Sequence, residues 1–201
     1  MLGAHRSLEP AAKEMLARPQ PGCASFASTL VRSACGCHIL LPLLMPKITA
    51  LLHTHNDALR LGRALDSLRA CDEILVIDDS SDDDTLRLAR EHGAAVKTAI
   101  PGVTPGTYAM DAAHDWVFCI LPNEALSETL EAALLEWKEK DPEEHVSCLR
   151  VQIREEVATG WQVRDPEVRL ANRRVVNWFG ETPPDQRCAT LAGELLRFCE
   201  P

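Results

Sequence analysis

The chain has 201 residues, of which 46% are hydrophobic and 25% are charged, and its mean hydropathy is −0.12. These proportions are typical of a globular protein and exclude collagen-like, coiled-coil and wholly disordered classes. Thirty acidic residues against 21 basic ones give a net charge of −9 and a pI near 5.2. This balance disfavours a nucleic-acid-binding protein, which needs a basic surface stripe, but it is compatible with a nucleotide-sized ligand.

Residues 1–44 differ in composition from the rest of the chain. They contain four basic and two acidic residues, several prolines and no sustained apolar period. Met45 directly precedes the first strong strand pattern, so we interpret 1–44 as a leader that is dispensable or results from a misassigned start. The alternative is a membrane-surface or targeting segment, which the weak amphipathicity of 1–44 disfavours. We expect one domain over 45–201, with an N-terminal half (45–140) and a C-terminal segment (141–201).

The cysteines and the apolar runs indicate a cellular compartment. None of the eight cysteines forms part of a paired C-x-x-C set, which disfavours a zinc ribbon and favours a reducing environment. The apolar stretch over 39–52 is interrupted by Pro42, Pro46 and Lys47 and is too short to span a bilayer. The sequence therefore predicts a cytoplasmic protein with no transmembrane span.

From residue 48 onward, short apolar runs alternate with amphipathic helical patterns. The predicted strands of this region are Ile48–Leu52, Ile74–Ile77, Ala94–Thr98 and Trp116–Leu121. The predicted helices are Asp57–Arg69, Asp82–His92 and one that is capped by Ser127. Strands and helices that alternate at this spacing are typical of a doubly wound, mainly parallel α/β sheet flanked by helices.

The helical rhythm stops after residue 142, where a short β-rich segment is predicted. Its expected strands are Cys148–Ile153, Glu167–Ala171 and Val175–Phe179. A last helix is expected near Ala189–Phe198.

Polar, mostly acidic residues follow three of the apolar runs, at 54–57, 78–85 and 122–124. Ligands of open α/β sheets bind beyond the carboxyl ends of the strands, so these residues predict a binding site. Asp78 and Asp79 suit hydrogen bonds from a base or ribose hydroxyl, or a share in holding a divalent metal. Turn formation and helix capping are the alternative role for the acids that follow them.

A second candidate metal site is the pair His53 and His55, which would share one face of a strand. No third ligand is evident nearby. The sequence therefore favours packing for His53 and a pocket-lining or solvated position for His55.

Two motifs resemble the opening of family 2 glycosyltransferases with the GT-A fold. Thr54-His55-Asn56-Asp57 resembles the family's Thr-x-Asn-Glu, and residues 77–85, Ile-Asp-Asp-Ser-Ser-Asp-Asp-Asp-Thr, resemble its Val-Asp-Asp-Gly-Ser-Thr-Asp-x-Thr. The likeness is closest to the bacterial lipopolysaccharide-core type and covers about 46–137. It implies that the following residues line the nucleotide half of a sugar-nucleotide pocket: Thr54, Asn56, Asp57, Asp78 and Asp79.

The chain departs from this family at the metal motif. By register the family's Asp-x-Asp becomes Leu121-Pro122-Asn123, so both acids are missing. The resemblance leaves Asn123 and Glu124 as substitute ligands for Mn²⁺ or Mg²⁺. Glu181 is the first candidate and Glu124 the second for the base that removes a proton from the acceptor hydroxyl. A turn acid at the surface is the alternative for Glu181.

Two functions follow as expectations from this resemblance. The first is an inverting transferase that moves a sugar from a nucleotide-sugar donor to a cell-envelope glycan or lipid, with peripheral membrane association and no nucleic-acid partner. The second is a catalytically inactive GT-A-like module that binds nucleotides or partners. The intact acids at the strand ends favour the first, and the degenerate metal motif favours the second. A similarity to response-regulator receiver domains fails because a strand–helix unit precedes the acid pair.

Overall fold

The computed structural model describes residues 45–140, 146–186 and 188–199, so the expected leader lies outside the described residues. The first half contains, in chain order, β1 (Ile48–Thr54), α1 (Ala58–Asp66), β2 (Glu73–Asp78), α2 (Thr85–Glu91), β3 (Ala95–Thr98), a 3₁₀ helix (Pro105–Asp111), β4 (Trp116–Cys119), β5 (Glu124–Leu126) and α3 (Glu128–Glu139). The second half contains β6 (Cys148–Val157), β7 (Gly160–Val163), β8 (Glu167–Asn172) and β9 (Thr190–Arg197).

The first half forms a parallel sheet in the order β3-β2-β1-β4. The carboxyl ends of β1, β2 and β3 coincide, because Thr54 pairs with Asp78 and Asp78 pairs with Thr98. This register places the polar residues that follow the strands at a single edge. The predicted α/β class is thereby confirmed.

The C-terminal segment extends the same sheet in the order β4-β8-β6-β9-β5, with β7 paired to β6. The β4–β8, β8–β6 and β9–β5 pairings are antiparallel, and β6 and β9 are parallel. The parallel character is thus confined mainly to the first half. β5 belongs to the first half of the chain and β7 to the second, and the sequence predicted neither strand.

Both faces of the parallel half are covered, which explains its continuous apolar runs. Successive residues of β1 point to opposite faces. Leu52 packs with Leu61 of α1 and Leu130 of α3 in one cluster. Leu51 packs in the other cluster, which includes Tyr108 of the 3₁₀ helix.

Two predicted elements are corrected by the structure. The expected helix over Ala189–Phe198 is β9, although leucine and glutamate favour a helix there. Gly193 has φ +90°, outside the helical region, and an added Cβ would lie 2.4 Å from the Leu130 backbone nitrogen. The expected strand over Val175–Phe179 is an irregular segment.

The three helices predicted in the first half are confirmed, the first two with shorter bounds. α1 begins one residue after Asp57, and α2 begins at Thr85 and is followed by Gly93 at φ +75°. Within the described residues, none of the helices has the length and apolarity needed to cross a bilayer.

Candidate functional site

A cleft of about 590 Å³ opens at the carboxyl edge of the parallel strands. It is bounded by the ends of β1 and β2, by the loop after β3, by the turn before β5 and by the segment after β8. Its polar and charged lining residues are His53, Thr54, His55, Asp57, Arg60, Asp79, Tyr108, Asn123 and Glu181. Five of these nine are site residues that the sequence predicted: Thr54, Asp57, Asp79, Asn123 and Glu181.

Asp79 is the exposed acid of the predicted pair. Its backbone amide donates to the Thr54 carbonyl over 2.8 Å, which extends the β1–β2 ladder by one residue. Its side chain follows the end of β2 and lines the cleft. A carboxylate in this position can accept hydrogen bonds from a ligand hydroxyl or amide.

Asp78, the other member of the pair, is only 3% exposed and organises the loop. Its carboxylate accepts hydrogen bonds from the Ser81 backbone amide over 3.1 Å and from the Ser81 hydroxyl over 2.5 Å. The Thr54 hydroxyl donates to it over 3.4 Å. Asp78 therefore positions the loop and does not line the cleft.

Asn56 joins the two loops at the strand ends and is also absent from the cleft lining. Its backbone has φ +55°, a left-handed conformation that asparagine tolerates well. Its side-chain oxygen accepts from the Asp82 amide over 2.8 Å, and its own amide donates to the Ser81 hydroxyl over 2.9 Å. These bonds fix the loop after β1 against the loop after β2.

Asp57 is 7% exposed and has two partners inside the cleft wall. Its carboxylate accepts from the His55 amide over 2.9 Å and pairs with the Arg60 guanidinium over 2.6 Å. The Asp57 amide donates to the hydroxyl of buried Thr85 over 2.8 Å. Asp57 thus orients an arginine that the sequence analysis did not identify; its position three residues later on the same helix was the available signal.

Glu124, expected as a second base and a metal ligand, is held instead in a buried ion-pair network. Its side chain is fully buried, 2.8 Å from Arg169 and 2.9 Å from Arg197. Its second oxygen accepts from the Leu121 amide over 2.9 Å. A carboxylate with these three partners stabilises the turn before β5, and Glu124 does not line the cleft of about 590 Å³.

The residues around Asn123 do not fit a divalent cation. The Asn123 side-chain amide donates to the Phe198 carbonyl over 3.1 Å, which fixes the orientation of the group. The neighbouring acid, Glu124, is already paired with two guanidinium groups. Among the residues that the structure describes, no three His, Cys, Asp or Glu side chains cluster to hold a metal.

Glu181 reaches the cleft on a segment that crosses the 3₁₀ helix. Gly106 makes this crossing close: an added Cβ would lie 2.2 Å from the Trp178 carbonyl oxygen. The Gly106 amide donates to the Phe179 carbonyl over 3.1 Å, and Trp178 is 6% exposed. The carboxylate of Glu181 is exposed at the cleft wall.

His53 and Tyr108 line the cleft with their aromatic rings. Their rings meet edge to face at 5.8 Å, and the Tyr108 hydroxyl accepts from the Ile100 amide over 2.5 Å, which fixes the loop after β3. Burial lowers the pKa of His53 to about 4, although its hydrogen bond to the Pro105 carbonyl opposes the shift. His53 is therefore neutral at pH 7. His55, two residues after His53, also lines the cleft.

No family model matches the chain. It is 36% identical over 91 residues to an uncharacterized glycosyltransferase of Rickettsia felis, a match that covers 43% of this chain and 32% of the relative. An uncharacterized glycosyltransferase of Rickettsia prowazekii is 35% identical over 91 residues, which cover 43% of this chain and 31% of that protein. The match thus spans about a third of the length of these curated relatives.

Similar solved structures include S. aureus TarS 1–349, with a TM-score of 0.45 and 22% identity over 59% of this chain and 38% of that chain. Another is glucosyl-3-phosphoglycerate synthase from Mycobacterium tuberculosis, in complex with Mn²⁺, UDP and glucosyl-3-phosphoglycerate, with a TM-score of 0.40 and 23% identity over 54% of this chain and 44% of that chain. The α/β assignment rests on the strand order given above. The sequence similarity is to proteins named glycosyltransferases, over less than half of the chain.

Proposed function

We propose that the protein is a glycosyltransferase that takes a sugar from a nucleotide-sugar donor. The observation that carries the proposal is the gathering of Asp57, Asp79, Asn123 and Glu181 around one cleft at the carboxyl edge of a parallel sheet. Open α/β sheets bind nucleotides at this edge. The named relatives support the same activity.

Asp79 is the proposed contact for the nucleoside. It lines the same cleft as His53 and the loop after β3, and its carboxylate can accept a hydrogen bond from a base amide or a ribose hydroxyl. In this proposal the diphosphate of the donor extends from the nucleoside toward Asn123, along the wall of the cleft formed by the strand ends. Thr54 and Asp57 support this wall, while Asp78 and Asn56 hold its loops in place.

Glu181 is the proposed base for an inverting transfer. The acceptor hydroxyl gives its proton to the Glu181 carboxylate while the oxygen of that hydroxyl forms a bond to the anomeric carbon of the sugar. The bond from that carbon to the diphosphate oxygen breaks, and its electron pair stays with the leaving nucleotide. Since the residues near Asn123 do not fit a divalent cation, no step here depends on a metal.

The acceptor in this proposal is a cell-envelope glycan or lipid, met at the cytoplasmic membrane surface. Two exposed apolar side chains support it: Ile100, which lines the cleft, is 61% exposed, and Phe179, two residues before Glu181 in the chain, is 77% exposed. The net charge of −9 argues against a nucleic-acid partner.

Calorimetric titration of the full chain with UDP and GDP, each with and without Mn²⁺, tests the binding half of the proposal. We expect one of the two nucleotides to bind. Asp79→Asn should weaken that binding about tenfold, because a hydrogen bond to a charged group is lost. Asp82→Asn, at an exposed acid outside the cleft lining, is the matched control. If neither nucleotide binds, the transferase proposal is wrong.

Release of nucleotide from UDP-glucose and GDP-mannose, in the presence of a cell-envelope extract, tests the chemical half. Glu181→Gln should slow the release about a hundredfold and leave nucleotide affinity unchanged, because a general base acts on the chemical step. A catalytically inactive binding module is the alternative that the degenerate metal motif favours. This alternative predicts that the wild-type protein binds nucleotide but does not release nucleotide from either nucleotide sugar.

A further inference from the structure

Arg60 and Asn123 both line the cleft of about 590 Å³ described above, here called the main cleft. Both residues also line a smaller cleft of about 220 Å³ beside it. Asn123 occupies the position at which the sequence analysis expected a metal motif for the donor diphosphate. A guanidinium therefore lies next to the place where a metal ion was expected.

Bound diphosphate needs a positive partner at this place. Among the described residues that line the main cleft, Arg60 is the only arginine or lysine. Asp57, Asp79 and Glu181 contribute negative charge to the same cleft. Without a cation near Asn123, this field would repel a diphosphate.

The structure fixes the direction of the Arg60 side chain. Its Nη2 lies 2.6 Å from an Asp57 oxygen, and the side chain is 28% exposed. A guanidinium carries five N–H donors in a rigid planar fork, so it can hold a carboxylate at one edge and a phosphate oxygen at another. The Asp57 pair thus partly neutralises the acid and orients the fork at the same time.

We infer that Arg60 binds the diphosphate of the nucleotide donor and supplies the charge that a metal ion would supply at this position. The inference rests on the proposed function, which places a nucleotide in the cleft. During transfer the leaving diphosphate gains negative charge, and the Arg60 guanidinium stabilises it where it develops. Binding of the diphosphate is accordingly independent of a divalent metal.

The test measures how much the diphosphate adds to affinity, by calorimetry in EDTA with UDP and with uridine. For the wild-type chain we expect UDP to bind about tenfold or more tightly than uridine, because charge-assisted hydrogen bonds are strong. Arg60→Met should abolish this difference and leave uridine affinity unchanged. Arg60→Lys should restore part of it. GDP and guanosine replace this pair if GDP is the nucleotide that the chain binds.

Arg63→Met is the matched control. Arg63 is one helical turn further along α1, and its guanidinium stacks 3.8 Å from the centre of the Phe198 ring, outside the main cleft. We expect this variant to keep the wild-type preference for UDP over uridine. A general effect of removing an arginine from α1 would appear in both variants.

Two results would overturn the inference without touching the proposed function. One is an Arg60→Met variant that keeps the wild-type preference for UDP, or that loses uridine and UDP affinity equally, as a purely structural role would require. The other is a wild-type chain that prefers UDP over uridine only when Mn²⁺ is present. Failure to bind any nucleoside or nucleotide would instead contradict the proposed function itself.

Discussion

The imidazole of His53 is a basic group that the fold keeps uncharged. Its Nε2 is buried with no hydrogen-bond partner among the described residues, and burial lowers its pKa from 6.5 to about 4. An unfolded chain restores the ordinary pKa. Between pH 6.5 and pH 4 the unfolded state therefore binds a proton that the folded state does not.

His53 should make the protein less stable as the pH falls through this interval. The contribution reaches about 3 kcal/mol of unfolding free energy between pH 6.5 and pH 4, because each pKa unit corresponds to about 1.4 kcal/mol. Urea unfolding of the wild-type chain and of His53→Gln across this range measures it. The variant should show a shallower decline at low pH, and equal slopes in the two proteins would contradict the prediction.

At the scale of elements, the cleft depends on an irregular segment packed against a 3₁₀ helix. Trp178 and Phe179 contact Gly106 through their backbone, and Glu181 follows two residues later. The absence of a side chain at Gly106 is what allows the two backbones to approach. The base proposed for the reaction is thus held by a contact between two elements with no regular pairing.

Gly106→Ala should separate these elements. The added Cβ would lie 2.2 Å from the Trp178 oxygen, so we expect the unfolding free energy to fall by about 1–3 kcal/mol. Gly62→Ala is the control, because no atom lies within 4 Å of a Cβ there and alanine favours the helix by up to about 1 kcal/mol. Denaturant unfolding should rank Gly62→Ala above the wild type and Gly106→Ala below it. A Gly106→Ala variant as stable as the wild type would disprove the close contact.

At the scale of the whole domain, a buried ion-pair network joins the parallel and antiparallel halves of the sheet. Arg169 of β8 contacts Glu124 at the start of β5 and donates to the Cys119 carbonyl at the end of β4 over 3.3 Å. Arg197 of β9 contacts the same glutamate. Two strands of the first half, β4 and β5, and two of the second half, β8 and β9, thus meet at this network.

The losses of stability caused by removing Arg169 and Glu124 should not be additive. Arg169→Met leaves Glu124 buried with Arg197 as its remaining cationic partner, and we expect a loss of about 3 kcal/mol of unfolding free energy. The double variant Glu124→Met/Arg169→Met should lose less than the sum of the two single changes, since no buried charge is left unpaired between them. A double-mutant cycle by urea unfolding measures the coupling, and additive losses would show that the pair is not coupled.

The sequence by itself determined the parallel half and the edge at which the cleft lies. Buried strands and amphipathic helices have distinct periods, and the polar residues after each apolar run marked the strand ends, so Thr54, Asp57 and Asp79 could be placed at the cleft. The two acids at 78 and 79 looked equivalent in the sequence. Only the tertiary structure separated them, because the register of β2 buries the first and exposes the second.

The second half depended on contacts that no local pattern encodes. The segment over β9 has residues that favour a helix, and it is a strand because β6 and β5 pair with it on either side. Glu124 belongs to a network because Arg169 and Arg197, 45 and 73 residues later, reach it. Local propensity and spacing are properties of neighbouring residues, whereas strand partners and buried ion pairs are chosen among distant ones, so only the folded chain decides them.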